Sequence, residues 1–164
     1  STLSGMVNGL SVNEVIAINN LKYAWQFILE EDNANYSFNT ICDIHKLVCD
    51  KLVLDSDLGR IRTKSQIKEE LEQLLNQNTK TKTEIAIEIM LWLMRRQMFI
   101  DGNKRVAMLF ANKIMIDNGC GIISIANELQ KDFFEKLIKY YETNNMDDLK
   151  LWIYDNCIDG LALN

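Results

Sequence analysis

No proline occurs in the 164 residues of this chain, although average usage of about 5% would supply roughly eight. Proline breaks helices because it lacks an N–H and its ring clashes with the preceding turn. Its complete absence points to a mostly helical chain. Ser11-Val-Asn-Glu14 reads as a capping box, opening an amphipathic helix through Ile16, Leu21, Trp25 and Phe27 to about Leu29. A second helix is predicted from about Asn39 to Leu52, with Ile41, Ile44, His45 and Val48 sharing a face. Turn formers at 55–59 and alternation around Ile61 suggest a short hairpin within Leu54 to Ile67. Helical spacing returns over Ile67 to Leu75, and Asn76 to Thr81 is a loop. Further helices are predicted at roughly 82–97, 103–118, 127–143 and 147–157.

The segments Ile85 to Met94 and Val106 to Ile116 are apolar nearly all round, so both helices are expected at the centre of the bundle. Only a short connection separates them, which makes them an antiparallel or sharply angled pair. That connection is polar and carries both signs of charge. It therefore sits at the mouth of the core and cannot be buried dry.

Composition narrows the function classes. With 48% apolar and 25% charged residues the chain has an ordinary globular make-up. No repeat or interdomain linker divides it, and a single domain over 1–164 is expected. Its net charge of −5 argues against sequence-independent nucleic-acid binding, which depends on neutralising many phosphates. The four cysteines (Cys42, Cys49, Cys120, Cys157) lack C-x-x-C spacing, and one histidine cannot complete a zinc set with them. Reduced structural thiols, no signal-peptide pattern and no apolar run of membrane length give the expectation of a cytoplasmic protein without a membrane partner.

The connecting loop has a chemistry of its own. Asp101-Gly102-Asn103 opens the downstream helix, whose first N–H groups and positive dipole end form a ready anion site. Gly102 can take positive φ and let an anion approach the backbone. Asn103 adds an amide donor, and Lys104 and Arg105 add charge. Asp101 is out of place beside an anion unless a divalent cation lies between them, and magnesium bound by one carboxylate plus phosphates meets that need. The loop thus suggests a magnesium–polyphosphate site. An ordinary turn and helix cap with solvated cations explains the same residues. A DNA-reading helix-turn-helix fits poorly, because the second helix lacks a polar outer face.

Phe99-Ile-Asp-Gly-Asn-Lys-Arg105, set between two apolar helices, closely resembles the core of the Fic/Doc motif. Leu58-Gly-Arg-Ile-Arg-Thr63 is similar to the flap hairpin that precedes the motif, and His45 resembles a structural histidine upstream of that flap. Together these features span about residues 4–120. The resemblance implies an all-α, Fic-type helical bundle with a small β-hairpin flap. It implies transfer of AMP, or of a phosphate, from Mg-ATP to a Ser, Thr or Tyr hydroxyl of a target protein. By motif position, Asp101 would hold Mg2+, Gly102 and Asn103 would cradle phosphates beside Lys104, and Arg105 would clamp the distal phosphates. Phe99 would anchor the loop, and Arg62, Thr63, Lys64 and Ser65 of the flap would register the target peptide. A homodimer or an antitoxin-like partner is the assembly such a toxin-like domain would suggest.

Several departures qualify that picture. Gln97 stands where the family carries its catalytic histidine, and a neutral amide cannot accept the proton of an attacking hydroxyl. Loss of general-base catalysis is typically worth about 10²–10⁴ in rate. Lys104 replaces a glycine frequent in AMP-transferring members, and Met108 replaces a second arginine; both substitutions resemble Doc. Ser4-Gly-Met-Val-Asn-Gly9 is similar to an autoinhibitory element, with Asn8 at the position of its glutamate. The expected function is a Fic-type modifier with impaired activity. The alternative is a catalytically silent nucleotide-binding pseudoenzyme serving regulation or interaction. A third reading, docking of a partner by Phe133, Phe134, Tyr140, Tyr141, Trp152 and Tyr154, ranks behind both, because aromatics at such spacings are usually core.

Overall fold

The computed structural model describes residues 6–7, 9–30, 36–62 and 66–160. Seven α-helices occur among them: α1 (Val12–Glu30), α2 (Phe38–Val48), α3 (Ile67–Leu75), α4 (Lys82–Arg96), α5 (Asn103–Asp117), α6 (Gln130–Thr143) and α7 (Asp147–Asn156). Two short antiparallel pairs complete the described elements. β1 (Met6–Val7) pairs with β2 (Leu10–Ser11), and β3 (Ile122–Ile123) with β4 (Ile158–Asp159). No helix among the described residues is long and apolar enough to cross a membrane.

Local chemistry sets the helix starts. Ser11 and Glu14 form the reciprocal capping box before α1, with Ser11 N–H donating to Glu14 at 2.7 Å and Glu14 N–H to Ser11 Oγ at 3.1 Å. Ser37 and Thr81 cap α2 and α4 in the same side-chain-to-backbone manner. The second helix is shorter than its apolar spacing predicts and stops at Val48. Its terminal carbonyls are taken over by Asn20 of α1, whose amide donates to Val48 O at 3.0 Å and Asp50 O at 2.7 Å. With those acceptors satisfied from outside, no further helical turn is required.

The α4–α5 pair forms the centre, as the apolar runs predict. Ile85, Ala86, Ile89, Met90 and Leu91 of α4 are buried against Val106, Leu109, Phe110, Ala111 and Ile114 of α5. Helices α1 and α2 pack on α5, while α3 and α7 pack on α4 and α6 on α7. Glu88 lies inside the apolar run of α4 yet is buried, held by Lys80 at 2.6 Å and Lys150 at 3.4 Å. A buried carboxylate needs such partners, since removing one strands an unpaired charge.

The hairpin expected between Leu54 and Ile67 does not form in its described part. Asp55–Asp57 is a 3₁₀ turn, and Asp57, Leu58 and Arg60 donate their N–H groups to carbonyls three residues back. Those local bonds occupy the groups that a strand ladder would use. Arg62 reaches across the chain, donating its N–H to Met98 O at 2.7 Å. Thr63, Lys64 and Ser65 lie outside the described residues, as do Ser4 and Asn8 of the N-terminal element. The helix expected over 127–143 is divided, with a 3₁₀ turn at Asn127–Leu129 leading into α6.

Asn112 is fully buried on α5 and holds β3 at both ends of one residue. Its Oδ1 accepts Ile123 N–H at 2.7 Å, and its amide donates to Ile123 O at 3.0 Å. Asn112→Ala leaves both backbone groups without a partner. We expect a loss of about 2–3 kcal/mol, read as a lower urea midpoint at unchanged slope.

Candidate functional site

The connection between α4 and α5 is where the predicted site residues meet. Helix α4 ends when Gln97 takes a left-handed conformation, φ 47° and ψ 56°. A residue with a Cβ pays roughly 1–2 kcal/mol for that geometry, so the surroundings must hold it. The Gln97 N–H closes on Leu93 O at 3.2 Å, and the Gln97 carbonyl accepts from Arg62 Nε at 3.1 Å. Met98 and Phe99 then turn inward and are buried. Phe99 thus anchors the loop, as the resemblance implies.

Asn103 frames the loop from within. Its Oδ1 accepts Phe99 N–H at 2.9 Å, while its Nδ2 donates to Phe99 O at 2.9 Å. The side chain read as a phosphate donor is therefore spent largely on the backbone. Gly102 has φ +77°, and a Cβ there would stand 2.6 Å from Cys49 Sγ. Only glycine fits both the dihedral and the space. Burial pushes the Cys49 thiol up to about 11, so it stays protonated beside the loop.

His45 braces the loop from below. Its Nδ1 lies 2.9 Å from Gly59 N, and its Nε2 lies 3.1 Å from Asp101 O. The Gly59 N–H can only donate, so Nδ1 is the acceptor and Nε2 carries the proton given to the carbonyl. The ring is thus neutral, fully buried and stacked on Phe99 with centroids 4.0 Å apart. Desolvation by burial lowers its pKa, outweighing the opposing bond to Asp101. His45 is a strut between the 55–62 segment and the motif loop.

Above this frame lies a cavity of about 370 Å3, lined by Met94, Gln97, Ile100, Asp101, Gly102, Asn103, Lys104, Arg105 and Tyr141. The predicted residues Gln97 and Asp101 to Arg105 therefore share one space. Arg62 is not part of that lining and donates to the loop backbone at Gln97 O and Met98 O. Asp101 is exposed, and its Oδ1 accepts Gly102 N–H at 2.8 Å. No side chain caps α5, so the first-turn N–H groups of Asn103, Lys104 and Arg105 keep their donor capacity. Lys104 is exposed, with Nζ 5.9 Å over the Phe134 ring. Arg105 is half-buried and also borders a neighbouring apolar cavity of about 400 Å3 that reaches Trp25, Met108 and Phe133. Neither cation is in a salt bridge among the described residues.

Tyr141 escapes sequence reasoning as a site residue. It belongs to the C-terminal aromatic group read as core, and its neighbour Tyr140 is indeed buried. Tyr141 instead lines the cavity and donates its hydroxyl to Met94 O at 3.0 Å. Nothing in the spacing of α6 links it to the connection between α4 and α5. Phe134 and Tyr154 are exposed, so the aromatic group is only partly core.

Residues 35–115 match the Fic/DOC family. A search of curated proteins finds no match. Among solved structures, a fragment of Fic-1 from C. elegans superposes with a TM-score of 0.76 at 22% identity, covering 93% of this chain and 52% of that one. A glutamate-to-glycine variant of the same fragment gives a TM-score of 0.77 at 21% identity, with 94% and 52% covered. This chain spans about half the length of those solved chains, and likeness at such identity establishes the fold.

The neutral, buried His45 makes stability depend on pH. Its folded pKa lies below the ordinary 6.5, so on acidification the unfolded chain takes up the proton first. Stability is full above that ordinary value and falls as pH is lowered through it, by at most about 1.4 kcal/mol per pH unit. The chain has one histidine. Urea midpoints between about pH 7.5 and 5.5 should therefore fall in the native chain, and the slope should flatten in His45→Asn.

Proposed function

Because the chain belongs to the Fic/DOC family, we propose that it binds Mg-ATP at the start of α5 and is built as a protein modifier. In this reading it passes AMP, or a phosphate, to a Ser, Thr or Tyr hydroxyl of a target protein. The observation that carries the reading is the cavity of about 370 Å3, which gathers the uncapped start of α5, Lys104, Arg105 and the Asp101 carboxylate. Backbone N–H groups at a helix start, with a guanidinium beside them, are suited to phosphate oxygens. The apolar Phe99 and the Asn103 clamp keep that helix start fixed, so a ligand meets preformed donors.

Asp101 supplies one carboxylate to magnesium. Among the described residues no group of three or more His, Cys, Asp or Glu forms an all-protein cage. Magnesium that arrives with a polyphosphate needs none. The ion would neutralise phosphate charge; the protein's own residues would bind and orient the chain.

Gln97 sets the rate. An amide has no basic lone pair suited to proton abstraction near neutral pH. His45 offers no substitute, because both ring nitrogens are already bonded within the core. Transfer is accordingly slow. That same fact favours a second reading, in which the domain binds nucleotide and acts as a regulatory or interaction module without turnover.

Calorimetry with Mg-ATP should register binding to the native chain, weakened by about tenfold or more in Arg105→Ala, since a charge-assisted contact is lost. With labelled ATP and a cell lysate, Gln97→His should label protein about 10²–10⁴ times faster than the native chain. Binding without label in either chain would select the second reading. No binding of Mg-ATP by the native chain would reject both.

A further inference from the structure

Helix α5 runs past two cavities of opposite character. The polar cavity of the motif loop lies at its first turn, where Lys104 and Arg105 line it. Those two cations and Met94 also line the second cavity, of about 400 Å3, so the two spaces share a wall. The second cavity continues along the helix past Met108 to Asn112, about 12 Å beyond Lys104 along the axis. Its other walls are mostly apolar, with Leu21 and Trp25 of α1 facing Phe133 and Phe134 of α6. Amides at its edge are occupied within the fold. The Asn112 side chain is bonded at both ends to Ile123, and the Gln130 NH2 donates to Ile125 O at 2.9 Å.

An ionised phosphate drawn past the two cations into this space would lose its water against apolar walls. A flat, uncharged ring suits the space, because aromatic side chains stack on any base. A ligand that fits both cavities at once carries a charged chain at one end and such a ring at the other, which is the make-up of a nucleotide. The order of residues along α5 then sets its direction. The ring lies by Met108, the phosphates nearest it lie at Arg105, and the far end of the chain reaches the start of α5 beside Gln97.

We propose that the apolar cavity receives the base of the nucleotide, so that the terminal phosphate lies at Gln97 and is the group passed to the target hydroxyl. This rests on the nucleotide reading above and selects between its two reactions. The hydroxyl oxygen bonds to the terminal phosphorus as the bond from that phosphorus to the bridging oxygen breaks. ADP leaves with the electron pair, and the hydroxyl proton passes to water. Arg105 meets the inner phosphates, the reverse of the order that the family resemblance implies.

Calorimetry on the native chain compares Mg-ATP with Mg-tripolyphosphate, which keeps the charged chain and lacks the base. Tripolyphosphate should bind more weakly by about fivefold or more, the range that stacking of one base supplies. Trp25→Ala should then cut Mg-ATP affinity by a similar factor and leave tripolyphosphate affinity unchanged. Phe134→Ala, at an exposed ring, repeats the comparison should the Trp25 variant lose both ligands alike. A second arm gives Gln97→His ATP labelled at the terminal or at the α phosphorus, with heat-treated lysate so that no other transferase acts. Label should pass from the terminal position alone. Label passing from the α position overturns the proposal, as does a Mg-ATP affinity that these ring truncations leave unchanged. Equal binding of the two ligands by the native chain also overturns it, while the phosphate site survives. Should neither ligand bind, the nucleotide reading falls and this proposal falls with it. Should no label pass from either position, the two ring truncations decide.

Discussion

Two helices that are buried almost completely around must be joined across the top of the core without stranding a polar backbone. Every other feature of the site answers to that constraint. Each peptide group drawn inward between Gln97 and Gly102 needs a partner, because an unmet buried donor or acceptor costs about 1–3 kcal/mol. The partners come from widely separated parts of the chain. Met98 O receives the Arg62 N–H, Asp101 O the His45 ring, Met94 O the Tyr141 hydroxyl, and Phe99 both ends of the Asn103 amide. These bonds tie the inner side of the loop to the core. The first turn of α5, with no side-chain cap, keeps donor capacity on the side of the cavity.

This division of labour separates framework from chemistry within a few residues. Asn103 lies in the middle of the motif yet serves the framework through its side chain, while its backbone N–H belongs to the uncapped start of α5. His45 likewise carries the only imidazole among the described residues but has both nitrogens engaged in structure. The electrostatics follow the same partition. Lys80 and Lys150 are held by Glu88, whereas Lys104 and Arg105 have no salt bridge among the described residues. On a chain with a net charge of −5, such a local excess of cations attracts a small polyanion while the remaining surface repels a long one.

Periodicity revealed most of the helical framework. The apolar runs of α4 and α5 and the capping box of α1 were legible because they arise from contacts three or four residues apart. The motif loop was legible for the same reason, since Asp101 to Arg105 are consecutive. What spacing could not show is long-range hydrogen bonding. The early end of α2 depends on Asn20, more than a full helix away, and the fate of 55–62 depends on local turns outcompeting a ladder. Tyr141 reaches the site through tertiary packing alone. An aromatic pair such as Tyr140 and Tyr141 reads identically in sequence whether one ring faces the core or the cavity.

The left-handed turn at Gln97 carries a further consequence for how this domain would respond to engineering. Glycine accommodates that backbone geometry without steric cost. A screen that rewarded heat resistance alone would thus drift toward removing the side chain at this position. Robustness and the lining of the cavity compete at one residue, and an improved melting temperature gained there would come with a blank wall where the amide now stands.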